Sequence, residues 1–303
     1  MSLERFVKKI DYQKEEKRNR PAVLVVTSQV VRGGIGGRSS VFALERFGFP
    51  TWFLPTVMLP WHPGQGAGTR ICAEPQSFAH IVDELSNSRW LSEIGGIITG
   101  YMGNEQQAQE VAQLVRAVKQ QNPDAQYMCD PVIGDAGGLY VPESVANSIK
   151  EHLLPLADFA CPNRFELSWL TAMECESEVG AVAAARSLGV ERSVITSAPA
   201  MRRNSIANLL VSSQGAMAVE HAEVIGAPHG TGDLLAAIFM ARVLSGSSEE
   251  VALKKATAST FELVARTVKM GSTELLYAGN QEPILQPLAL VNERRIAEAP
   301  ARA

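Results

Sequence analysis

The segment Gly230-Thr231-Gly232-Asp233 joins a turn that is almost free of side chains to a carboxylate, directly before the apolar stretch "LLAAIFMA". Glycines let the backbone approach a ligand closely and present its N–H groups, and the N-terminus of a following helix attracts anions through its dipole. A phosphoryl group bound there, with Asp233 taking a proton from an acceptor hydroxyl, would make this segment a phosphoryl-transfer site. The structural alternative is that Asp233 serves as the N-cap of a core helix.

More polar side chains follow two predicted strands, at the point where each strand ends. Asp130 and Asp135 lie in "DPVIGD", and Asn163 and Glu166 lie in "CPNRFE". Because ligands of parallel α/β sheets bind beyond the carboxyl ends of the strands, these side chains are expected to gather at one edge of the sheet, together with Asp233.

Phosphoryl transfer also needs a cation that bridges the phosphates of the donor. No lysine occurs between Lys150 and Lys254, so Mg²⁺ held by carboxylates is the predicted cation. Asp130, Asn163 and Glu166 also fit structural roles. Asp130 fits a turn residue, and Asn163 fits an N-cap with Glu166 completing a capping box.

Several other classes of protein are excluded by composition and motif. The chain of 303 residues has a net charge of −4 and 46% apolar residues, with neither a nucleic-acid footprint nor an apolar run long enough to span a membrane. It lacks G-x-x-x-x-G-K-[ST], H-E-x-x-H and G-x-S-x-G. The glycines of "RGGIGG" miss the dinucleotide register, and no acid lies between Arg46 and Ala73 to hold a ribose. Its four cysteines show no C-x-x-C spacing, which indicates reduced thiols in a cytoplasmic protein.

Short β-branched runs alternate with amphipathic segments, which predicts a mainly parallel central sheet with helices on both faces. We expect an N-terminal arm over 1–20, one domain over 21–290 and a C-terminal tail over 291–303. The Gly- and Pro-rich segment 59–68 is predicted to be a long binding loop. The predicted strands are 22–27, 51–54, 95–99, 126–129, 159–161, 193–197, 206–211 and 216–219, and the predicted helices are 38–47, 75–87, 105–121, 143–151, 165–171, 178–187, 233–244 and 249–268.

Six motifs occur together and in order: "TSQVVRGGIG", "TGYMG", "DPVIGD", "LLPLADFACPNRFEL", "VITSAP" and "GTGDLLAA". With them the chain resembles the pyridoxal kinases of the ribokinase-like superfamily over residues 23–266. The resemblance implies a ribokinase-like α/β fold and ATP-dependent phosphorylation of the 5′-hydroxyl of pyridoxal, pyridoxine or pyridoxamine in vitamin B6 salvage. It further implies Mg²⁺, a monovalent cation such as K⁺, and a cytoplasmic homodimer that has neither a nucleic-acid nor a membrane partner.

The resemblance also implies a role for individual residues. Asp233 matches the general base, and Gly230, Thr231 and Gly232 match the anion hole. The positions that match substrate contacts are Ser28, His62, Tyr101 and Asp233; those that match metal ligands are Asp130, Asp135 and Glu166; and those that match ATP contacts are Asp135, Tyr140, Asn163, Glu166, Thr196, Ser197, Gly230 and Gly232.

The chain departs from the family pattern in the loop that covers the substrate, where it reads "PWHPGQG". Pro63 replaces a threonine and has neither an N–H nor a side-chain donor. Gly37 replaces an asparagine, and Cys161 replaces a threonine that helps to bind the monovalent cation. Two alternatives therefore stay open: a hydroxymethylpyrimidine-type kinase of the same superfamily, or a weakly active carrier or regulator that binds pyridoxal or its phosphate.

Overall fold

A computed structural model describes residues 20–297, so the predicted arm over 1–20 lies outside the described residues except for Arg20. Within that range a ten-stranded sheet has the order β12-β11-β10-β9-β8-β5-β4-β1-β2-β3. The strands are β1 (Ala22–Val30), β2 (Thr51–Leu59), β3 (Ile71–Cys72), β4 (Ile94–Thr99), β5 (Gln126–Cys129), β8 (Phe159–Ala160), β9 (Arg192–Pro199), β10 (Ser205–Ser212), β11 (Gly215–Ala222) and β12 (Asn292–Ile296), and a separate hairpin joins β6 (Gly134–Asp135) to β7 (Gly138–Leu139).

The centre of the sheet is parallel, and antiparallel strands border it on both sides. The parallel pairs are β1 with β2, β1 with β4, β4 with β5, β5 with β8, and β8 with β9. At one edge β3 pairs antiparallel with β2, and at the other β10, β11 and β12 continue the sheet antiparallel. The parallel strands end at a common edge, which is where the sequence predicts the site.

Successive residues of a buried strand point to opposite sides of the sheet, so both faces of this sheet are apolar. Helices cover both of these faces. In β1, Val23 and Val25 join one buried cluster, and Leu24 and Val26 join another. The helices are α1 (Gly37–Arg46), α2 (Pro75–Ser86), α3 (Glu105–Gln121), α4 (Glu143–Ser148), α5 (Arg164–Thr171), α6 (Glu178–Ser187), α7 (Thr231–Leu244), α8 (Glu249–Lys269) and α9 (Glu282–Leu285). The predicted α/β architecture with helices on both faces is confirmed.

The segment 291–303, predicted as a tail, needs one correction in its described part, while residues 298–303 lie outside the described residues. Residues Asn292–Ile296 form the edge strand β12, which pairs with β11. Arg294 fixes this strand through ion pairs with Glu178 and Glu220. A polar edge strand of five residues lacks the apolar alternation that would distinguish it from a tail in the sequence.

Among the described residues, no helix combines the length and the apolar character that a membrane span requires.

Candidate active site

One cavity of about 590 Å³ opens at the carboxyl edge of the parallel strands. It contains residues from loops that are far apart in the chain, because the parallel topology brings the ends of their strands together. Every predicted site residue lines this cavity: Ser28, His62, Tyr101, Asp130, Asp135, Tyr140, Asn163, Glu166, Thr196, Ser197, Gly230, Thr231, Gly232 and Asp233.

Asp233 is the third residue of α7 and does not cap it. The N-cap is Gly230, with a left-handed φ of 93° and no side-chain cap. The Asp233 carboxylate instead accepts the N–H of Gly36, from the loop after β1, at 2.9 Å through Oδ2. Burial raises the pKa of Asp233 to about 6, although this amide bond favours the charged form. The N-cap alternative is therefore excluded, and the carboxylate borders the cavity with a pKa suited to proton transfer near neutral pH.

Of the two glycines at the start of α7, the N-cap Gly230 and the second helical residue Gly232, only Gly230 is required by its surroundings. A Cβ on Gly230 would lie 2.4 Å from the carbonyl oxygen of Gly34, whereas a Cβ on Gly232 would meet nothing within 4 Å. The space beside Gly232 is therefore not filled by protein. The first amides of a helix have no intrahelical acceptor, so those of Thr231 and Gly232 can donate to an anion in the cavity.

Acidic side chains crowd the floor of the cavity. Asp130 is buried, with 8% of its surface exposed, and its pKa is raised well above the usual range by burial and by the charges of Glu166 and Asp233. Burial also raises the pKa of Glu166 to about 7. A cation bound beside these carboxyl groups would favour their ionised forms, so this part of the cavity is a candidate cation site.

Asn163 and Glu166 form the capping box at the start of α5. Glu166 Oε2 accepts the N–H of Asn163 at 2.9 Å, and Oε1 accepts the N–H of Ile133 at 2.8 Å. Asn163 Nδ2 donates to the carbonyl of Gly134 at 2.7 Å. Both side chains thus tie the loop after β5 to α5, which is the structural role that the sequence left open; their contacts to ATP or metal stay predictions.

Replacing Asp130 by Asn is expected to stabilise the ligand-free protein. Because the folded-state pKa of Asp130 lies above its unfolded value of about 3.9, the folded protein holds a proton that the unfolded chain has lost, and stability falls as pH rises through that interval. Above the folded pKa the whole penalty is present, and the asparagine variant lacks it. The thermal midpoint of D130N should exceed that of wild type at pH 8, by about 2–4 °C for each kcal/mol removed, and by less at pH 5.

The matched control is Asp124→Asn, at an exposed turn, which should leave the midpoint unchanged. A D130N midpoint at or below the wild-type value at pH 8 would contradict the expectation.

The loop that borders the cavity is held by contacts within the protein. The His62 ring stacks on His229, with centroids 4.0 Å apart and planes at 28°, and His62 Nδ1 accepts the N–H of Gly64 at 3.1 Å. Burial and the neighbouring His229 lower the pKa of His62, against the opposing effect of Asp135. The loop after β2 is thereby joined to the residue that precedes the Gly230 turn. His229 was not among the predicted site residues, although its position directly before the turn was a usable signal.

Two further contacts explain the residues that depart from the family pattern in this loop. Arg32 donates to Gln65 Oε1 at 2.7 Å, and Trp61 Nε1 donates to the carbonyl of Gly66 at 3.0 Å. Pro63 begins a 3₁₀ turn and lines the cavity. Trp61 therefore anchors the loop.

A second cavity of about 210 Å³ adjoins the first at the Gly230 turn. The residues Thr196, Ser197, Ala227, Thr231 and Gly232 line both cavities. Sequence reasoning missed its apolar walls because they lie in β10, in the loop after β11, in α7 and in α8, where apolar residues are typical of core. These walls include Ile206, Val224, Leu235, Phe261 and Val264.

Residues 90–277 match the family model described as phosphomethylpyrimidine kinase. The chain is 31% identical over 271 residues to the pyridoxal kinase of Leifsonia xyli, covering 88% of this chain and 96% of that protein. It is 32% identical over 289 residues to the pyridoxal kinase of Deinococcus radiodurans, covering 90% and 96% respectively.

Solved structures show the same similarity in three dimensions. The pyridoxal kinase of Leishmania donovani in complex with ADP and pyridoxine superposes with a TM-score of 0.84 at 27% identity, over 91% of this chain and 99% of that chain. The pyridoxal kinase of Entamoeba histolytica superposes with a TM-score of 0.84 at 25% identity, over 91% and 100%.

Proposed function

The chain belongs to the pyridoxal kinase family, and on this premise we propose that it transfers the γ-phosphoryl group of ATP to the 5′-hydroxyl of pyridoxal, pyridoxine or pyridoxamine. The ribokinase-like fold expected from the motifs is confirmed by the superpositions. The observation that supports the proposal most is the pair of cavities that meet at the Gly230–Gly232 turn, with Asp233 in the larger one. The larger cavity would hold the acceptor together with the phosphates of the nucleotide, and the smaller cavity would hold the remainder of the nucleotide.

In this arrangement the acceptor ring occupies the larger cavity beside Ser28 and Tyr101, with its hydroxyl at Asp233. The Asp233 carboxylate takes the hydroxyl proton, and its bond to the Gly36 amide through Oδ2 holds it in place. The amides of Thr231 and Gly232 stabilise the negative charge on the transferring group. Positioning and charge stabilisation supply most of the catalysis in phosphoryl transfer, and this site offers both.

A divalent cation fits the charge of the site, with phosphate oxygens completing its coordination. Among residues 20–297 no group of three or more His, Cys, Asp or Glu side chains is arranged to hold a metal ion, yet burial and the neighbouring acids Glu166 and Asp233 raise the pKa of Asp130, and a bound cation would favour its ionised form. Mg²⁺ commonly takes one or two carboxylates, waters and substrate phosphates. We propose that Asp130, Asp135 and Glu166 would hold it, where it would offset the negative charge of the phosphates.

Cys161 lines the cavity, and burial together with Asp130 raises the pKa of its thiol. A neutral thiol binds K⁺ more weakly than a hydroxyl oxygen does, because hard cations prefer oxygen ligands. We therefore expect at most a weak dependence of the rate on K⁺.

The homodimer implied by the family stays a prediction, which sedimentation equilibrium would check.

The rate should fall on the acidic side of neutrality. Burial places the pKa of Asp233 at about 6, and only the ionised carboxylate accepts a proton, so kcat/KM should be constant above about pH 7 and decrease through pH 6. The measurement is a profile of kcat/KM for pyridoxal from pH 5 to pH 8, at saturating ATP and Mg²⁺. A rate that stays constant down to pH 5 would exclude a base with this pKa.

A second candidate is a hydroxymethylpyrimidine-type kinase, favoured by the phosphomethylpyrimidine kinase model and by the altered loop. The deciding experiment measures ATP turnover with pyridoxal, pyridoxine, pyridoxamine and hydroxymethylpyrimidine in parallel. The leading proposal expects a phosphorylated B6 product and a lower kcat/KM for the pyrimidine. Binding of pyridoxal without any product at high enzyme concentration would favour the carrier instead.

A further inference from the structure

The glycine-rich segment after β1, residues 33–37, lacks a dinucleotide register, but it packs directly on the catalytic turn. The Gly36 amide donates to Asp233. The carbonyl oxygen of Gly34 packs so closely against Gly230 that a Cβ added to Gly230 would lie 2.4 Å from it. Gly36 has a left-handed φ of 59°, and a Cβ there would lie 2.5 Å from the carbonyl oxygen of Ser28. The segment therefore contacts Asp233, Gly230 and Ser28, the last of which is predicted to contact the substrate.

Tyr277, in the connection between α8 and α9, holds this segment from behind. Its hydroxyl lies 2.5 Å from Ser39 Oγ and donates to the carbonyl of Gly34 at 3.3 Å. Its ring fills the space beside Gly34, where an added Cβ would lie 2.4 Å from Cε2. Ser39 is fully buried. When Tyr277 donates to Gly34, the single Ser39 proton goes to the Tyr277 oxygen, and the carbonyl of Gly230, 3.5 Å from Ser39 Oγ, is then in contact without a hydrogen bond. The tyrosine thus contacts the chain on both sides of Gly36, at Gly34 within the segment and at Ser39 in the first turn of α1.

We propose that Tyr277 is a positioning residue for phosphoryl transfer: by holding Gly34 and Ser39 it fixes the Gly36 amide against the Asp233 carboxylate and fixes the Gly230 turn beside it. The phenol does not line the cavity and acts only through these contacts. The inference rests on the proposed function for its effect on rate, while its structural part stands on the contacts alone. Reactions that depend on orientation lose rate when a catalytic group shifts by a fraction of an ångström to 1 Å.

The test compares Tyr277→Phe with Tyr127→Phe. Tyr127 is a matched control, because its buried hydroxyl also pairs with a side-chain hydroxyl, that of Thr99 at 2.8 Å, and it does not line the cavity. Both variants lose one buried hydroxyl and should show similar decreases in thermal midpoint. We expect kcat to fall about 10- to 100-fold in Y277F only, with KM for ATP within about twofold of wild type. A Y277F enzyme with the kcat of Y127F would overturn the proposal.

A second measurement needs no turnover and separates this inference from the proposed function. Hydrogen exchange of the Gly36 amide, followed by NMR in the ligand-free protein, reports its bond to Asp233 directly. We expect faster exchange of that amide in Y277F than in wild type and in Y127F. Unchanged exchange would overturn the positioning role, whereas faster exchange in a chain that phosphorylates no B6 vitamer would contradict only the proposed reaction.

Discussion

Asp233→Asn should lower kcat by at least ~10²-fold while leaving the fold intact, since general-base catalysis contributes about 10²–10⁴-fold. The asparagine Oδ1 can still accept the Gly36 amide, and α7 keeps its Gly230 N-cap, so the local structure does not depend on the charge. Burial disfavours the carboxylate in the ligand-free protein. The thermal midpoint of D233N should therefore equal or exceed that of wild type, and ATP binding should persist.

Two measurements together decide this prediction: kcat with pyridoxal under saturating ATP, and the thermal midpoint of each protein. A loss of rate with an unchanged or higher midpoint supports the role of base. If D233N retained a kcat within about twofold of wild type, the carboxylate would have only a structural role and the proposed chemistry would be wrong.

Gly230→Ala should be the most damaging glycine substitution in the site. A non-glycine residue in the left-handed region costs about 1–2 kcal/mol, and the Cβ would also lie 2.4 Å from the carbonyl oxygen of Gly34. Relief of that contact moves either the turn or the segment 33–37, and both contact Asp233 or its partner Gly36. We expect a loss of stability greater than the backbone cost alone and a decrease of kcat/KM of about 10²-fold or more.

Gly246→Ala is the matched control for this substitution. Gly246 lies just beyond the other end of α7 with a φ of 84°, and a Cβ there would meet nothing within 4 Å. It therefore carries the backbone cost without the close approach, and its activity should be unchanged. Denaturant unfolding of the two variants isolates the contact with Gly34; equal stabilities and equal activities would show that no such constraint exists.

The architecture and the predicted residues of the larger cavity could be inferred from the sequence, because both follow from the order of strands and helices along the chain. β-branched runs alternating with amphipathic segments predict a parallel sheet, and a parallel sheet places residues such as Asp130 and Asn163, which follow neighbouring strands, at one edge. The strand β12 was not predictable in this way, since its residues Asn292–Ile296 are mostly polar and its place is fixed by Arg294 binding Glu178 and Glu220.

Roles of single side chains within the cavity were less predictable. The sequence allowed Asp233 to be a cap or a base, and the bond to Gly36 excluded the cap. It left Glu166 as a metal ligand or a capping-box partner, and its oxygens proved to bind backbone amides. The residue type determines which hydrogen bonds a side chain can form, but the partner that it binds depends on which groups the fold brings within reach.

The sequence by itself determined which functional groups the site contains: a Gly-Thr-Gly segment, a carboxylate beside it, further acids after successive strands and a divergent loop. The tertiary structure alone decided how these groups are held. Asp233 meets Gly36 across 197 residues of chain, Tyr277 meets Gly34 across 243, and His62 stacks on His229. Such contacts leave no periodic signal along the chain, because they depend on close packing between loops and not on the repeat of a helix or strand.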